Sequence, residues 1–131
     1  MVKGLRAIGN PKRIGVLTPY WPPAGELVAN FFRSAGFDPV SVVNMETTGP
    51  TKVSQVPYAV TMKAFEALDT PQVEAFVHVG TALPVTAITE AIEHKHGKPL
   101  IGVNVATYWA ALRALGIQDK VRGYGCLIAE H

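Results

Sequence analysis

Ala75–Phe76–Val77–His78–Val79, followed at once by Gly80–Thr81–Ala82–Leu83–Pro84, is the stretch that decides the fold. Its five strand-forming residues are almost all apolar and end at a glycine-containing turn. A run without alternation belongs to a strand covered on both faces, which is the habit of parallel sheets. Three further runs share this character: Ile14–Leu17, Pro39–Val43 and Pro99–Val103. Helical spacing separates them. Leu27, Val28, Phe31 and Phe32 make one face of a helix predicted over Glu26–Ala35, with Gly36 at its C-terminal cap. Trp21–Pro22–Pro23 reads as the punctuation that ends the first strand, and Glu46–Pro57 as a loop rich in Thr, Gly and Pro. Helices are predicted over Tyr58–Leu68, over Pro84–His96 with Gly97 closing it, and over Thr107–Leu115 with Gly116 closing it. The order βαβαβαβα predicts an α/β fold: a three-layer α/β/α sandwich around a four-stranded parallel sheet. Right-handed crossovers favour the flavodoxin-like order 2-1-3-4.

Composition agrees with a single α/β domain spanning 1–131. Of 131 residues, 48% are apolar and 17% charged, enough to bury a core. With 12 Lys plus Arg against 10 Asp plus Glu, the net charge of +2 is too small for a nucleic-acid footprint or a polybasic membrane anchor. No apolar run approaches the roughly 20 residues of a membrane helix, and Met1–Arg6 lacks the apolar stretch of a signal peptide. A cytoplasmic protein with neither nucleic-acid nor membrane partner is expected. The one cysteine, Cys126, excludes an internal disulfide framework and a multi-cysteine metal site.

In open parallel sheets ligands bind at the carboxyl ends of the strands. Three segments are expected to meet there: Thr18–Trp21, Gly80–Pro84 and Asn104–Thr107. Each is expected to lead into a helix N-terminus, where free N–H groups and the helix dipole favour an anion. Thr18, Tyr20, Gly80, Thr81, Ala82 and Asn104 are the candidate substrate-binding residues, and a small carboxylic acid suits them better than a nucleotide. No Walker GxxxxGK[ST] and no GxGxxG follows the first strand. Structural roles are open for the same residues: Thr81 and Thr107 as helix caps, Tyr20 with Trp21 as an aromatic lid, Asn104 as a turn stabiliser. His78 falls on a strand face with Phe76 and reads as a satisfied core histidine. His94 and His96 read as a solvated helix end with the wrong spacing for a metal. The residues imply no metal and no organic cofactor.

Arg13–Ile14–Gly15–Val16–Leu17–Thr18–Pro19–Tyr20 resembles the opening of the second lobe of maleate cis–trans isomerases and arylmalonate decarboxylases, both of the aspartate/glutamate racemase superfamily. Glu74–Arg113 is similar as well, through the Gly80–Pro84 turn, Gly97–Lys98–Pro99 and Val105–Arg113, and Gly123–Tyr124–Gly125 resembles the lobe ending. The resemblance implies cofactor-free isomerase, racemase or decarboxylase chemistry on a mono- or dicarboxylic acid. It also implies two lobes with the active site between them, so this chain is expected either to lack an N-terminal lobe or to form a homo-oligomer. Tyr20 matches a tyrosine that hydrogen-bonds the substrate carboxylate, and Gly80–Ala82 would offer backbone N–H groups to an oxyanion. The family's cysteine, at the end of the third strand, is Gly80 here. No catalytic residue can therefore be assigned, and a non-catalytic carboxylate-binding or assembly module is the alternative. A cysteine restored at position 80 is expected to bring back proton exchange if the rest of the cleft is intact.

Overall fold

The apolar runs do assemble into one parallel sheet of order β2-β1-β3-β4, comprising β1 (Arg13–Thr18), β2 (Asp38–Asn44), β3 (Ala75–His78) and β4 (Leu100–Gly102). The computed structural model describes the backbone of residues 1–131 and every side chain except that of Pro50. Val16 of the central strand lies opposite Val42 on one side and Val77 on the other, and Phe76 lies opposite Leu100. Strands β1 and β3, each paired on both edges, are buried along almost their whole length, whereas β2 at the sheet edge is half-exposed.

The two faces carry separate cores. Ile14, Val16, Ala75, Val77 and Ile101 face one layer with Leu5, Phe32, Trp109 and Leu127. These come from α1 (Val2–Ala7), α2 (Pro22–Ser34), α6 (Val103–Ala114) and α7 (Cys126–Glu130). Leu17, Phe76 and Leu100 face the other layer with Phe65, Leu68, Leu83 and Ile92. Here the covering elements are α4 (Tyr58–Leu68) and α5 (Thr89–His96), with the short α3 (Pro50–Val53) beside them. No helix among the described residues is long and apolar enough to cross a membrane.

Several boundaries differ from the expected ones. The second helix starts at Pro22, not Glu26, because proline's fixed φ and missing N–H suit the first helical turn. The prolines begin an element as well as ending one. The helix expected from Pro84 starts at Thr89 after a 3-10 turn over Thr86–Ile88. Leu83 and Val85, both buried, pin the intervening segment to the core. Gly97 closes α5 in the left-handed conformation (φ 63, ψ 26) and donates its N–H to Glu93 O at 2.8 Å. The last sheet-covering helix starts at Val103, not Thr107, so Val105, Ala106 and Trp109 form its buried stripe. The sequence pattern does not predict helices α1 and α7 or the short α3.

His96 is not part of a solvated helix end. Its side chain is only 6% exposed, its ring meets Phe76 edge-on at 5.4 Å, and Nδ1 lies 2.8 Å from Asp69 Oδ2. Lys98 also donates to Asp69. Burial would raise the Asp69 carboxyl, but hydrogen bonds from Lys98 and His96 outweigh it and hold that group below the usual carboxylate range. The cluster lies at the amino ends of the strands, away from the edge where ligands bind.

Candidate functional site

At the carboxyl ends of β1 and β3, Pro19, Tyr20, Thr47, Gly49, Val53, Gly80, Thr81 and Ala82 enclose a cavity of about 350 Å³. Its walls bear no formal charge; its polar groups are hydroxyls and main-chain amides. Four of the six candidate residues, Tyr20, Gly80, Thr81 and Ala82, come together in it.

Two loops form the walls. Tyr20 N–H donates to Thr18 Oγ1 at 3.0 Å, and Thr18 Oγ1–H donates to Asn44 Oδ1 at 3.3 Å. Thr18 is fully buried, so it shapes the turn that presents Tyr20 and does not line the cavity. Thr47 arrives because the chain after β2 runs beside this turn: Met45 N–H donates to Thr18 O at 2.9 Å and Thr47 N–H to Pro19 O at 3.0 Å. Thr47, Gly49 and Val53 belong to the segment read as a loop, and nothing in its composition placed them at the site.

On the other wall, Leu83 N–H donates to Gly80 O at 3.1 Å, closing the turn, and Asn104 Nδ2–H donates to Thr81 O at 3.0 Å. Asn104 thus holds the turn from α6 and lines a neighbouring cavity of about 450 Å³ with Tyr108 and Tyr124. Thr107 caps nothing; its hydroxyl donates to Val103 O at 2.7 Å within α6. Thr81 lies in a turn that does not lead directly into an α-helix, so the helix-dipole contribution expected here is absent. The N–H groups of Thr81 and Ala82 find no protein acceptor among the described residues, and both residues are exposed.

Gly80 adopts φ +139, a conformation open in practice only to glycine. A Cβ at this position would lie 2.5 Å from Pro19 Cδ and 2.6 Å from Pro19 Cγ. The proline ring fills the space in which a side chain at residue 80 would start. A cysteine restored here therefore does not drop into a waiting gap, which corrects the expectation drawn from sequence. The same Cβ position lies 3.7 Å from His78 Nε2. His78 is 2% exposed, and burial lowers its imidazole to about 4. Contrary to the satisfied core histidine expected, Nε2 has no hydrogen-bond partner among the described residues.

Cys126 is remote from this edge. Its N–H donates to Glu93 Oε2 at 2.9 Å, and Glu93 Oε1 accepts the N–H of Leu100 at 2.8 Å. Burial, followed by its hydrogen bond with Glu93, pushes the Cys126 thiol up to about 12. A thiol so reluctant to ionise is a poor nucleophile. No group of three or more His, Cys, Asp or Glu among the described residues is placed to hold a metal ion.

A parallel α/β lobe of strand order β2-β1-β3-β4 flanked by helices is a fold of the aspartate/glutamate racemase superfamily. The chain belongs to the arylmalonate decarboxylase family, whose model matches residues 1–128. It is 32% identical over 123 residues to a maleate isomerase of Pseudomonas putida, an alignment covering 90% of this chain and 48% of that protein. Among solved structures it superposes with TM-score 0.93 and 29% identity on a cysteine-to-serine variant of Nocardia farcinica maleate cis-trans isomerase, which carries a covalently bound succinylcysteine intermediate. That match covers 99% of this chain and 53% of the other. Arylmalonate decarboxylase superposes with TM-score 0.86 and 27% identity, over 99% of this chain and 58% of the other. The chain spans about half the length of the curated relatives it matches, consistent with one lobe.

Proposed function

We propose that this chain is a lobe that holds a small mono- or dicarboxylic acid in the cavity between the Gly80–Ala82 turn and the Tyr20–Thr47 wall. The observation that carries the reading is the pair of N–H groups on the exposed residues Thr81 and Ala82, which lack protein acceptors among the described residues and border a cavity lined by hydroxyls. Such groups stabilise an anion without a fixed countercharge. Tyr20 supplies a further donor, Thr18 orients it, and Asn104 keeps the turn in place. The maleate isomerase and arylmalonate decarboxylase relatives favour an acid of this class as the ligand.

Family-type isomerisation or decarboxylation through a thiol at residue 80 is not part of the proposal. Residue 80 is glycine, the Pro19 ring occupies the adjoining space, and Cys126 is both remote and protonated. Two readings of the site follow: an enzyme whose reacting group is not this thiol, and a carboxylate-binding module without turnover. Gly80 favours the module unless another group moves the proton.

The test is thermal unfolding against malonate, phenylmalonate, maleate, aspartate and glutamate. An acid present at 100 times its Kd is expected to stabilise the fold by about 2.7 kcal/mol. Tyr20→Phe should reduce that shift selectively. No shift with any acid would contradict the reading.

Self-association is the second part of the proposal. Leu27 and Phe31 are 71% and 55% exposed, and they flank a groove of about 630 Å³ floored by Val28, Phe32, Val79 and Val103. An apolar groove of this kind is commonly an interface. Sedimentation at high micromolar concentration is expected to show a dimer or larger species, shifted towards monomer by Phe31→Glu. A clean monomer would overturn this part.

A further inference from the structure

His78 ends β3 on the face covered by α4 and α5, flanked by Leu17 on β1 and Gly102 on β4. The rest of its strand is Ala75, Phe76 and Val77, so an apolar residue would complete the core without penalty. Instead the strand buries an imidazole whose Nε2 has no partner. A buried polar atom left unpaired costs about 1–3 kcal/mol, and such atoms are few in native proteins. Nε2 stands 3.7 Å from the point where a Gly80 side chain would begin, and the Gly80 backbone and Pro19 ring that meet there both line the acid cavity.

We infer that His78 is the proton-carrying binding residue of this cavity. A small carboxylate seated on the Gly80–Ala82 turn brings a negative charge close to Nε2 across the cavity wall that Gly80 and Pro19 form, and the imidazole takes up one proton from solvent as the anion arrives. This inference rests on the carboxylate reading above. No bond in the ligand breaks; a solvent proton joins the ring, and the imidazolium then serves as the counter-charge to the carboxylate. The buried ring is neutral while the cavity is empty, because burial alone sets its basicity. Lys63 and Glu66 on α4, and Glu90, Glu93, His94, Lys95 and His96 on α5, lie on the covering helices, and none of them perturbs it. An anion at the cavity would be the first charge to do so. In a site of low dielectric this raises an imidazole pKa by about one unit or more.

The experiment follows the His78 ring and the backbone amides of the intact chain by NMR across pH, with and without malonate. Malonate is expected to shift the Thr81 and Ala82 amides and to raise the His78 titration midpoint by about one unit or more. If the amides shift and the midpoint stays, the inference is overturned while the carboxylate reading stands. If neither responds, both fall. His78→Leu, which keeps the strand apolar, is expected to fold and to bind malonate about fivefold or more weakly. His78→Gln, which is polar but does not titrate, should weaken malonate similarly and abolish the His-linked proton uptake. Unchanged affinity in His78→Leu would show that the residue is structural only.

Discussion

Gly80→Cys is expected to lose about 2–4 kcal/mol of stability, from a backbone conformation unsuited to a side chain together with overpacking against a rigid ring. At φ +139 any Cβ is strained, and this one would collide with Pro19 Cδ and Cγ. The ring cannot rotate away as a long side chain would. Because two mechanisms contribute, they can be separated. Pro19→Ala removes the collision and leaves the strain, so the double variant should recover about 1 kcal/mol or more beyond additivity. Urea unfolding of the four proteins checks this. Gly80→Cys as stable as the parent would mean that the turn relaxes freely and that glycine is not required. The strained variant is also not expected to catalyse proton exchange at the α-carbon of a substituted malonate, because its thiol would have no settled position.

The second large effect is an acid-induced loss of stability set by His78. The imidazole titrates at about 4 when folded, against an ordinary value of 6.5. The unfolded chain therefore binds the proton first. Stability is fully present above the unfolded value and falls as the pH drops from 6.5 towards about 4, below which both states are protonated. At about 1.4 kcal/mol per unit, this one group removes about 3 kcal/mol across that window. The carboxylates Glu66, Asp69 and Glu74, which lie away from the cavity, do not obscure it: held below their usual values, they lose their contributions mainly as the pH falls below the ordinary 4.5, 3.8 and 4.5. Unfolding free energies at about pH 7 and about pH 4.5 should differ by most of that amount in the parent and much less in His78→Gln. A slope that survives the substitution would assign the acid sensitivity elsewhere. Saturating malonate should flatten the slope in the parent if the anion holds His78 protonated.

Where sequence and structure agree, long elements with a clear period are responsible. The bounds of Tyr58–Leu68 match those predicted, and the sheet order follows from four apolar strands joined by right-handed crossovers. Where they disagree, the signal was too short or was shared. Helix α7 has five residues and α1 six, too few to display a helical period. The contribution of α1 includes Gly4, whose value lies in its closeness to Leu127 and Ile101, not in any side chain. Ile101–Gly102–Val103 reads as continuous strand because Val103 is β-branched. Packing of Val105, Ala106 and Trp109 against the sheet overrides that preference and starts the helix four residues early.

The site divides along the same line. The strand-edge rule put Tyr20 and Gly80–Ala82 in one place, and they line one cavity. It could not assign Thr18 and Asn104 to supporting positions, since a threonine or asparagine near a strand end serves equally well as wall or as brace. Thr47 reaches the cavity only through backbone pairing with Pro19, which leaves no trace in side-chain pattern. For His78, alternation gave the face of the strand correctly. Whether Nε2 has a partner depends on distant residues, and the absence of one became visible only in three dimensions.

The most direct measurement is a crystal structure of the chain soaked with malonate. The account predicts a carboxylate within hydrogen-bond distance of the Thr81 and Ala82 N–H groups and of the Tyr20 hydroxyl. Malonate seated instead between Tyr108 and Tyr124, or absent at saturating concentration, would contradict it.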